Sequence, residues 1–251
     1  ASAESMGLRK GCLAVQVHSG SRGFGHQICT DYVRSLQSAA NKYRILLPDR
    51  ELACAPISSE EGQAYLKAMR CAANYAYANR QVLAQGVRDA FEQVLAGKGG
   101  GRRLRTVYDV AHNIGKIETH AVQGKERAAC VHRKGATRAS EGVIGVIPGS
   151  MATPGYVVRG RGHAESLHSA AHGAGRRMSR TATRKAFSWA EGRRFLEARD
   201  VTLISAGLDE VPMGYKDIEA VMAAQSDLVE IVARFDPLLV KMAPEGSGEG
   251  G

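Results

Sequence analysis

The chain lacks the signatures that most quickly assign nucleotide or metal chemistry. It contains no GxxxxGK[ST] loop, no Lys-x-Asp-Gly and no HExxH. Those absences exclude a P-loop, the nucleophilic lysine of the classical nucleic-acid ligases and the helical zinc pair of metalloproteases. It also lacks CxxC spacing. The five cysteines, Cys12, Cys29, Cys54, Cys71 and Cys130, are odd in number and scattered, which argues against a disulfide framework or a zinc knuckle and for reduced thiols in a cytoplasmic protein. No apolar run reaches the length of a membrane span, and the opening ASAESMGLRKG has no hydrophobic region of a signal peptide, so a membrane partner is not expected. No internal repeat is visible.

With 251 residues and 44% hydrophobic content, the chain can bury the core of one large domain or two small ones. Basic residues outnumber acidic ones, 34 to 25, for a net charge of +9. The excess is clustered at Arg102, Arg103 and Arg105, at Arg133, Lys134 and Arg138, and most densely at Arg176, Arg177, Arg180, Arg184 and Lys185. A charge cluster can be no more than a solvated face. Arginine, however, suits phosphate oxygens because its fork donates bidentate bonds and stays charged, so Arg133, Lys134, Arg138, Arg176, Arg180 and Arg184 are read as RNA- or phosphate-binding.

Three histidines sit among small residues: His18 in VHSGSRGFG, His112 in VAHNIGK and His172 in AAHGAGRRMSR. One histidine beside a glycine is most often structural. Three such segments in one chain point instead to phosphate chemistry, since glycine lets an anion approach backbone donors.

The periodicity predicts a strand over Cys12–His18, a helix from Gly25 to about Lys42, and a long helix over residues 60–95 opened by Ser58, Ser59 and Glu61. The stripe of that long helix, Tyr65, Met69, Ala72, Ala76, Leu83, Val87, Phe91 and Val94, reads as core packing. After a Gly97–Gly101 loop come strand-like runs at Leu104–Ala111, Cys130–Arg133, Val143–Pro148 and Tyr156–Val158. Helix is expected from about Glu165 and again at Ser188–Ala198 and Asp217–Ser226, with strands at Val201–Ser205 and Leu238–Met242. Runs of strands followed by helices argue for an α+β fold, mixed strands and helices around one core. The expected domain spans 1–245, and the GSGEGG of 246–251 reads as a flexible tail.

His172 is the best candidate nucleophile. A neutral imidazole can attack a phosphoryl centre and carry the transferred group as a phosphoramidate. Gly173, Ala174 and Gly175 would let backbone N–H groups approach the phosphate, and Arg176 would neutralise charge. A rival pairs His168 with His172 as i, i+4 metal ligands on a helix. It lacks a catalytic Glu between them, and Gly173 would end the helix. His18 and His112 are better metal ligands, each following an apolar run, with Asn113 beside the second. IPGSM at Ile147–Met151 could present N–H groups and the Ser150 hydroxyl, although alone it is a simple turn.

In order, HSGSRGFGHQ, AHNIGK, HRKGATRA, IPGSM, HGAGRRMSR and GYKD resemble the RtcB family of RNA ligases, from about His18 to Lys241. The resemblance implies an RtcB-like fold and GTP-dependent joining of RNA ends. A 2′,3′-cyclic phosphate or 3′-phosphate would be joined to a 5′-hydroxyl, as in tRNA splicing and RNA repair. The implied cofactors are GTP and Mn²⁺, two manganese ions per complete site. The implied partners are tRNA halves or broken RNA and an archease-type activating protein. By the same resemblance His172 becomes guanylylated, His18 and His112 ligate manganese, and Asn113, Pro148, Gly149, Ser150, Met151, Gly173, Ala174, Gly175, Tyr215 and Lys241 bind GTP.

Two strings of the family, Asp-x-x-Cys and Gly-Asn-His-Phe, do not occur here, and Ala152 and Gly155 stand where the family commonly has Gly and Ser. The chain begins with Ala. It reads as the C-terminal portion of such a ligase, either a fragment whose N-terminal part stands on a longer or separate chain or a truncated gene product, binding Mn²⁺ weakly and not ligating alone. The alternative is an inactive basic module that binds RNA or nucleotide.

Overall fold

The computed structural model describes residues 3–49, 52–96 and 104–244. Arg102, Arg103, the expected 97–101 loop and the 246–251 tail lie outside them. The chain forms two compact units, Val15–Gly115 and the remainder, Ala1–Ala14 with Lys116–Gly251.

The first unit is a helical hairpin. Helix α1 runs Arg22–Lys42 and α2 runs Glu60–Leu95. Ser59 caps α2 by accepting from the Gly62 N–H, and Glu60 and Glu61 place negative charge in its first turn, as the helix dipole favours. Leu36, Ala39, Ala40 and Leu66 are buried, and Tyr32 meets Tyr65 with ring centroids 5.7 Å apart. No residue of the expected core stripe of α2 is fully buried: Tyr65, Met69, Ala72, Ala76, Val87 and Phe91 are half-buried, and Leu83 and Val94 are 41% and 66% exposed.

The second unit carries the sheets. Strands β1 (Asn113–Val122) and β2 (Lys125–Lys134) pair across Gln123-Gly124, both at positive φ. That is the turn chemistry of a two-residue hairpin. Strand β3 (Ala136–Arg138) pairs antiparallel with β6 (Ser169–Ala171), in the register Ala136 to Ala171. Strands β4 (Ile144–Ile147), β5 (Gly155–Gly160) and β8 (Val229–Phe235) make an antiparallel sheet with β5 central. The β5 sequence GYVVRG reads as a continuous run because both its faces are covered. Strands β7 (Thr202–Ser205) and β9 (Leu239–Lys241) pair in parallel.

Two clusters hold this unit. Ile147, Tyr156, Val158, Ala170, Ala174, Ile218, Met222 and Val229 form the larger with Ala139, and Met151, Ala152, Leu196 and Val201 the smaller. Burying Ile147 or Val158 fully contributes about 2 kcal/mol each. Helices α3 (Arg180–Ala186), α4 (Trp189–Glu197) and α5 (Ile218–Ala223) border these clusters, α4 opened by a capping box of Ser188 and Glu191. The mixture is α+β, as expected.

Several expected elements differ. Cys12–His18 and Leu104–Ala111 form no strand, for each lacks a ladder partner among the described residues. No helix starts at Glu165. The 163–168 stretch turns, with the Ser166 hydroxyl donating to His163 O and with Leu167 and His168 at positive φ, and it then enters β6. The i, i+4 face needed by a His168–His172 metal pair is therefore absent.

Candidate active site

Strand β6 delivers His172, and three other motifs meet it through backbone contacts. The His172 N–H donates to Gly135 O at 3.4 Å, and a Cβ on Gly135 would stand 3.4 Å from His172 Cε1 and 3.5 Å from Nδ1. Gly135, at φ +66°, is the glycine of HRKGATR. The Ala174 N–H donates to Pro148 O at 3.1 Å, tying HGAGR to IPGSM. A side chain on Gly173 would press on the same carbonyl at 3.2 Å. The Lys216 N–H donates to Gly175 O at 2.9 Å, and Arg176 bridges to Tyr215, tying HGAGR to GYKD. From below, the buried Gln225 accepts the Ala171 N–H through Oε1 at 2.9 Å.

The loop before β5 is closed on itself. Thr153 Oγ1 accepts from the Ser150 N–H at 2.6 Å and lies 2.9 Å from the Ser150 hydroxyl. Met151 is 2% exposed and packs in the smaller cluster, so its side chain is core. A Cβ on Gly149 would strike Thr153 Oγ1 and Pro154 O at 2.4 Å. One on Gly155 would fall 2.2 Å from the Phe235 ring, which fills the place of the serine side chain expected there. Lys241 stands apart from these contacts, exposed at the end of β9.

The basic cluster is not a bare cationic face. Arg176 donates to Asp209 O (2.7 Å), Glu210 Oε1 (2.8 Å) and the Tyr215 hydroxyl (3.0 Å), and its guanidinium lies 4.7 Å from the Tyr215 ring centroid. Arg180 donates to Asp209 Oδ2 at 2.6 Å and to Glu210, and Arg184 to Asp209 Oδ1 at 3.0 Å. Burial pushes the Tyr215 phenol up, and the adjacent Glu210 carboxylate pushes it further, so Tyr215 stays protonated and donates to Glu210. Burial raises the Asp209 carboxyl, but Arg180 and Arg184 outweigh it and leave it below its ordinary value. Asp209 and Glu210 escaped the sequence reading, their only signal being an acidic pair after an apolar run. Lys134 and Arg138 are exposed, Arg138 donating to Ser140 Oγ at 2.8 Å.

Arg133 corrects an expectation. Only 4% exposed, it donates two bonds of 2.8 Å to Glu118 and further bonds to Ser169 Oγ and Leu167 O. Its donors face inward rather than toward RNA.

In the helical unit, His18 and His112 meet with their Nε2 atoms 2.9 Å apart and their rings nearly perpendicular, at 86°. His18 lies on an irregular segment and His112 at a bend just before β1, and both segments are held by α2. Asn79 donates to Ser19 Oγ and Gly20 O at 2.9 Å, while Arg80 donates to Ser19 O (3.3 Å) and Asp109 (2.6 Å). Asn113 begins β1 beside them in sequence. Two converging imidazole nitrogens suit one edge of a divalent transition-metal site, although no group of three or more His, Cys, Asp or Glu side chains that could hold a metal occurs among the described residues.

The family model described as tRNA-splicing ligase RtcB matches residues 1–243. The chain belongs to the RtcB family. It is 44% identical over 257 residues to the tRNA-splicing ligase RtcB of Methanocaldococcus jannaschii, covering 94% of this chain and 26% of that protein. It is 42% identical to that of Methanococcus maripaludis (94% and 54% covered) and 43% to the RNA-splicing ligase RtcB of Mycobacterium tuberculosis (94% and 58%). The chain thus spans about half the length of the latter two relatives and about a quarter of the first. No helix among its described residues is long and apolar enough to cross a membrane.

Proposed function

We propose that this chain carries the nucleotidyl-transfer centre of an RNA ligase, with His172 as the nucleophile. The observation that supports this best is the meeting of HRKGATR, IPGSM and GYKD on the 172–176 segment, whose first residue carries a half-buried imidazole. In this reading GTP is the nucleotide substrate. The His172 imidazole attacks the α-phosphorus, a P–N bond forms and pyrophosphate leaves. The GMP then passes to an RNA 3′-phosphate, restoring the imidazole, and a 5′-hydroxyl displaces GMP as the phosphodiester closes.

Within residues 173–175 the Ala174 N–H is taken by Pro148 O, while nothing lies within 4 Å of the place a Cβ on Gly175 would occupy, so a phosphate can approach the backbone at Gly175. Tyr215, held by Glu210 and Arg176, offers a rigid aromatic face to the guanine. Pro148, Gly149, Ser150, Asn113 and Lys241 are assigned to the nucleotide by family resemblance, and Arg176, Arg180, Arg184, Lys134 and Arg138 to phosphates of nucleotide or RNA. His18 and His112 would hold manganese, which when bound supplies positive charge for the transferring phosphoryl group. These two nitrogens furnish part of a donor set, and anionic ligands would have to come from elsewhere. The reading places the protein in the cytoplasm, acting on tRNA halves or broken RNA with an archease-type activator.

A second reading, an inactive module that binds RNA or nucleotide, is favoured by the two-donor metal set. One experiment separates the two. The chain is incubated with Mn²⁺ and α-³²P-GTP, alone and with an upstream segment bearing Asp-x-x-Cys and Gly-Asn-His-Phe. Acid-labile label that vanishes in His172→Ala is the expected result with that segment. Equal labelling of His172→Ala would remove the assignment, and no labelling with the segment present would leave the binding module.

A further inference from the structure

We propose that Arg133 and Glu118 are positioning residues for His172, a buried ion pair that clamps the turn from which β6 delivers the imidazole. The inference rests on the reading of His172 as the nucleophile.

Arg133 lies on β2 and Glu118 on β1, and their side chains are 2% and 10% exposed. Nη1 and Nη2 of Arg133 each donate to one Glu118 oxygen at 2.8 Å, the bidentate geometry that fixes a guanidinium in orientation as well as in place. Its remaining donors reach the turn, Nη2 to Leu167 O at 3.0 Å and Nε to Ser169 Oγ at 2.9 Å. Leu167 and His168 occupy the left-handed region at φ 50° and 52°. Two successive non-glycine residues persist there only when their surroundings hold them.

The surroundings do so from three sides. Arg133 holds the Leu167 carbonyl, the Ala139 N–H donates to His168 O at 2.6 Å, and the His120 ring packs 4.8 Å from the His168 ring. His120 in turn contacts Glu118 Oε2 through Nε2 at 3.0 Å. Strand β6 starts one residue beyond this turn and is only Ser169–Ala171, so any slip of the turn passes along three residues to His172 and shifts the imidazole over Gly135. In-line attack on phosphorus tolerates little such displacement. A phosphate in place of Glu118 would leave a carboxylate buried without its partner, which disfavours RNA binding at this arginine.

The test is hydrogen exchange followed by mass spectrometry on the chain, comparing Arg133→Met, Arg133→Lys and Ser169→Ala. Exchange across residues 167–174 is expected to accelerate at least tenfold in Arg133→Met, with β4, β5 and β8 unchanged. Arg133→Lys, which can pair with Glu118 but cannot also reach the turn, should show an intermediate effect. Ser169→Ala removes one hydroxyl, which accepts from Arg133 Nε and donates to Leu167 O at 3.1 Å, so a several-fold local effect is readable even if Arg133→Met unfolds. Carbethoxylation of His172 by diethyl pyrocarbonate, relative to exposed His26, should speed up in parallel. Unaltered exchange at 167–174, or loosening spread evenly over the sheets, overturns the clamp. The GMP-labelling experiment is separate: localised loosening in a protein that takes no label keeps the clamp and loses the ligase, and labelling with unaltered exchange does the reverse.

Discussion

His172 and the His18–His112 pair are anchored in different ways. Around His172 successive residues are tied through the backbone: His172 to Gly135, Ala174 to Pro148, Gly175 to Lys216. The flanks of His18 are tied by side chains, Asn79 and Arg80 reaching from α2 to Ser19 and Gly20. A backbone-bonded site keeps its shape through most surface substitutions. A site hung on a few side chains loses its geometry when one of them is removed, and a metal bound there depends on those outer contacts.

The largest effect should therefore come from Arg80. Its Nε lies 2.6 Å from Asp109 Oδ1, with the two side chains only 12% and 21% exposed. Arg80→Met leaves Asp109 without its partner, and about 3 kcal/mol of stability should be lost, readable by urea denaturation. Mn²⁺ affinity should fall on the order of tenfold by titration. Unchanged affinity would mean that His18 and His112 converge without help from α2.

The next effect is acid lability near His172. The Arg133 guanidinium holds the Glu118 carboxyl down to about 2. A group whose folded value is depressed stabilises above its unfolded value, near 4.5, and that contribution fades as pH falls from there through about 2. On the order of 2 kcal/mol should be lost across that window, first at residues 167–174. Exchange measured from pH 5 to pH 2.5 would show it, and a uniform loss across both units would contradict it.

Much of this was legible from residue order. Helix α2 announced itself by its length and by Ser59, and the glycine-rich motifs indicated the segments that meet at residues 172–176 and the two histidines, His18 and His112, that meet each other. Other elements hid because tertiary context overrode the local pattern. The β1–β2 hairpin mixes polar and apolar residues without a regular alternation, so only its Cys130–Arg133 part was expected, and its other signal was the Gln123-Gly124 turn. CLAVQVH is a short apolar run of the kind a buried strand shows, yet it pairs with no other described strand, leaving Leu13 and Val15 63% and 46% exposed. Arg133 looked like its exposed neighbours Lys134 and Arg138, and only the pairing with Glu118, fifteen residues away, showed that it points inward.

A smaller effect sharpens the backbone side of the contrast. Gly135 has φ +66°, so Gly135→Ala strains the chain by about 1 kcal/mol and brings a methyl within 3.4 Å of His172 Cε1. GMP labelling should drop more than stability does, several-fold at unchanged Mn²⁺ affinity. Equal losses of labelling and stability would reduce Gly135 to a turn residue.

The smallest expected effect concerns the acidic pair beneath the arginines. Asp209 is 4% exposed and accepts from Arg180 and Arg184, whose side chains are 46% and 48% exposed. The two arginines thus keep solvent-facing surface while part of their charge is matched. Asp209→Asn preserves the shape and one acceptor oxygen but removes the negative charge, so both guanidiniums face an incoming phosphate with less to give up. RNA affinity should rise about threefold at low salt, and the log-log salt slope should steepen by less than about one unit, the amount expected for one added phosphate contact. Nitrocellulose filter binding from low to moderate salt would resolve it. A weaker affinity with an unaltered slope would show that Asp209 aims Arg180 and Arg184 rather than restraining them, and that their orientation counts for more than their net charge.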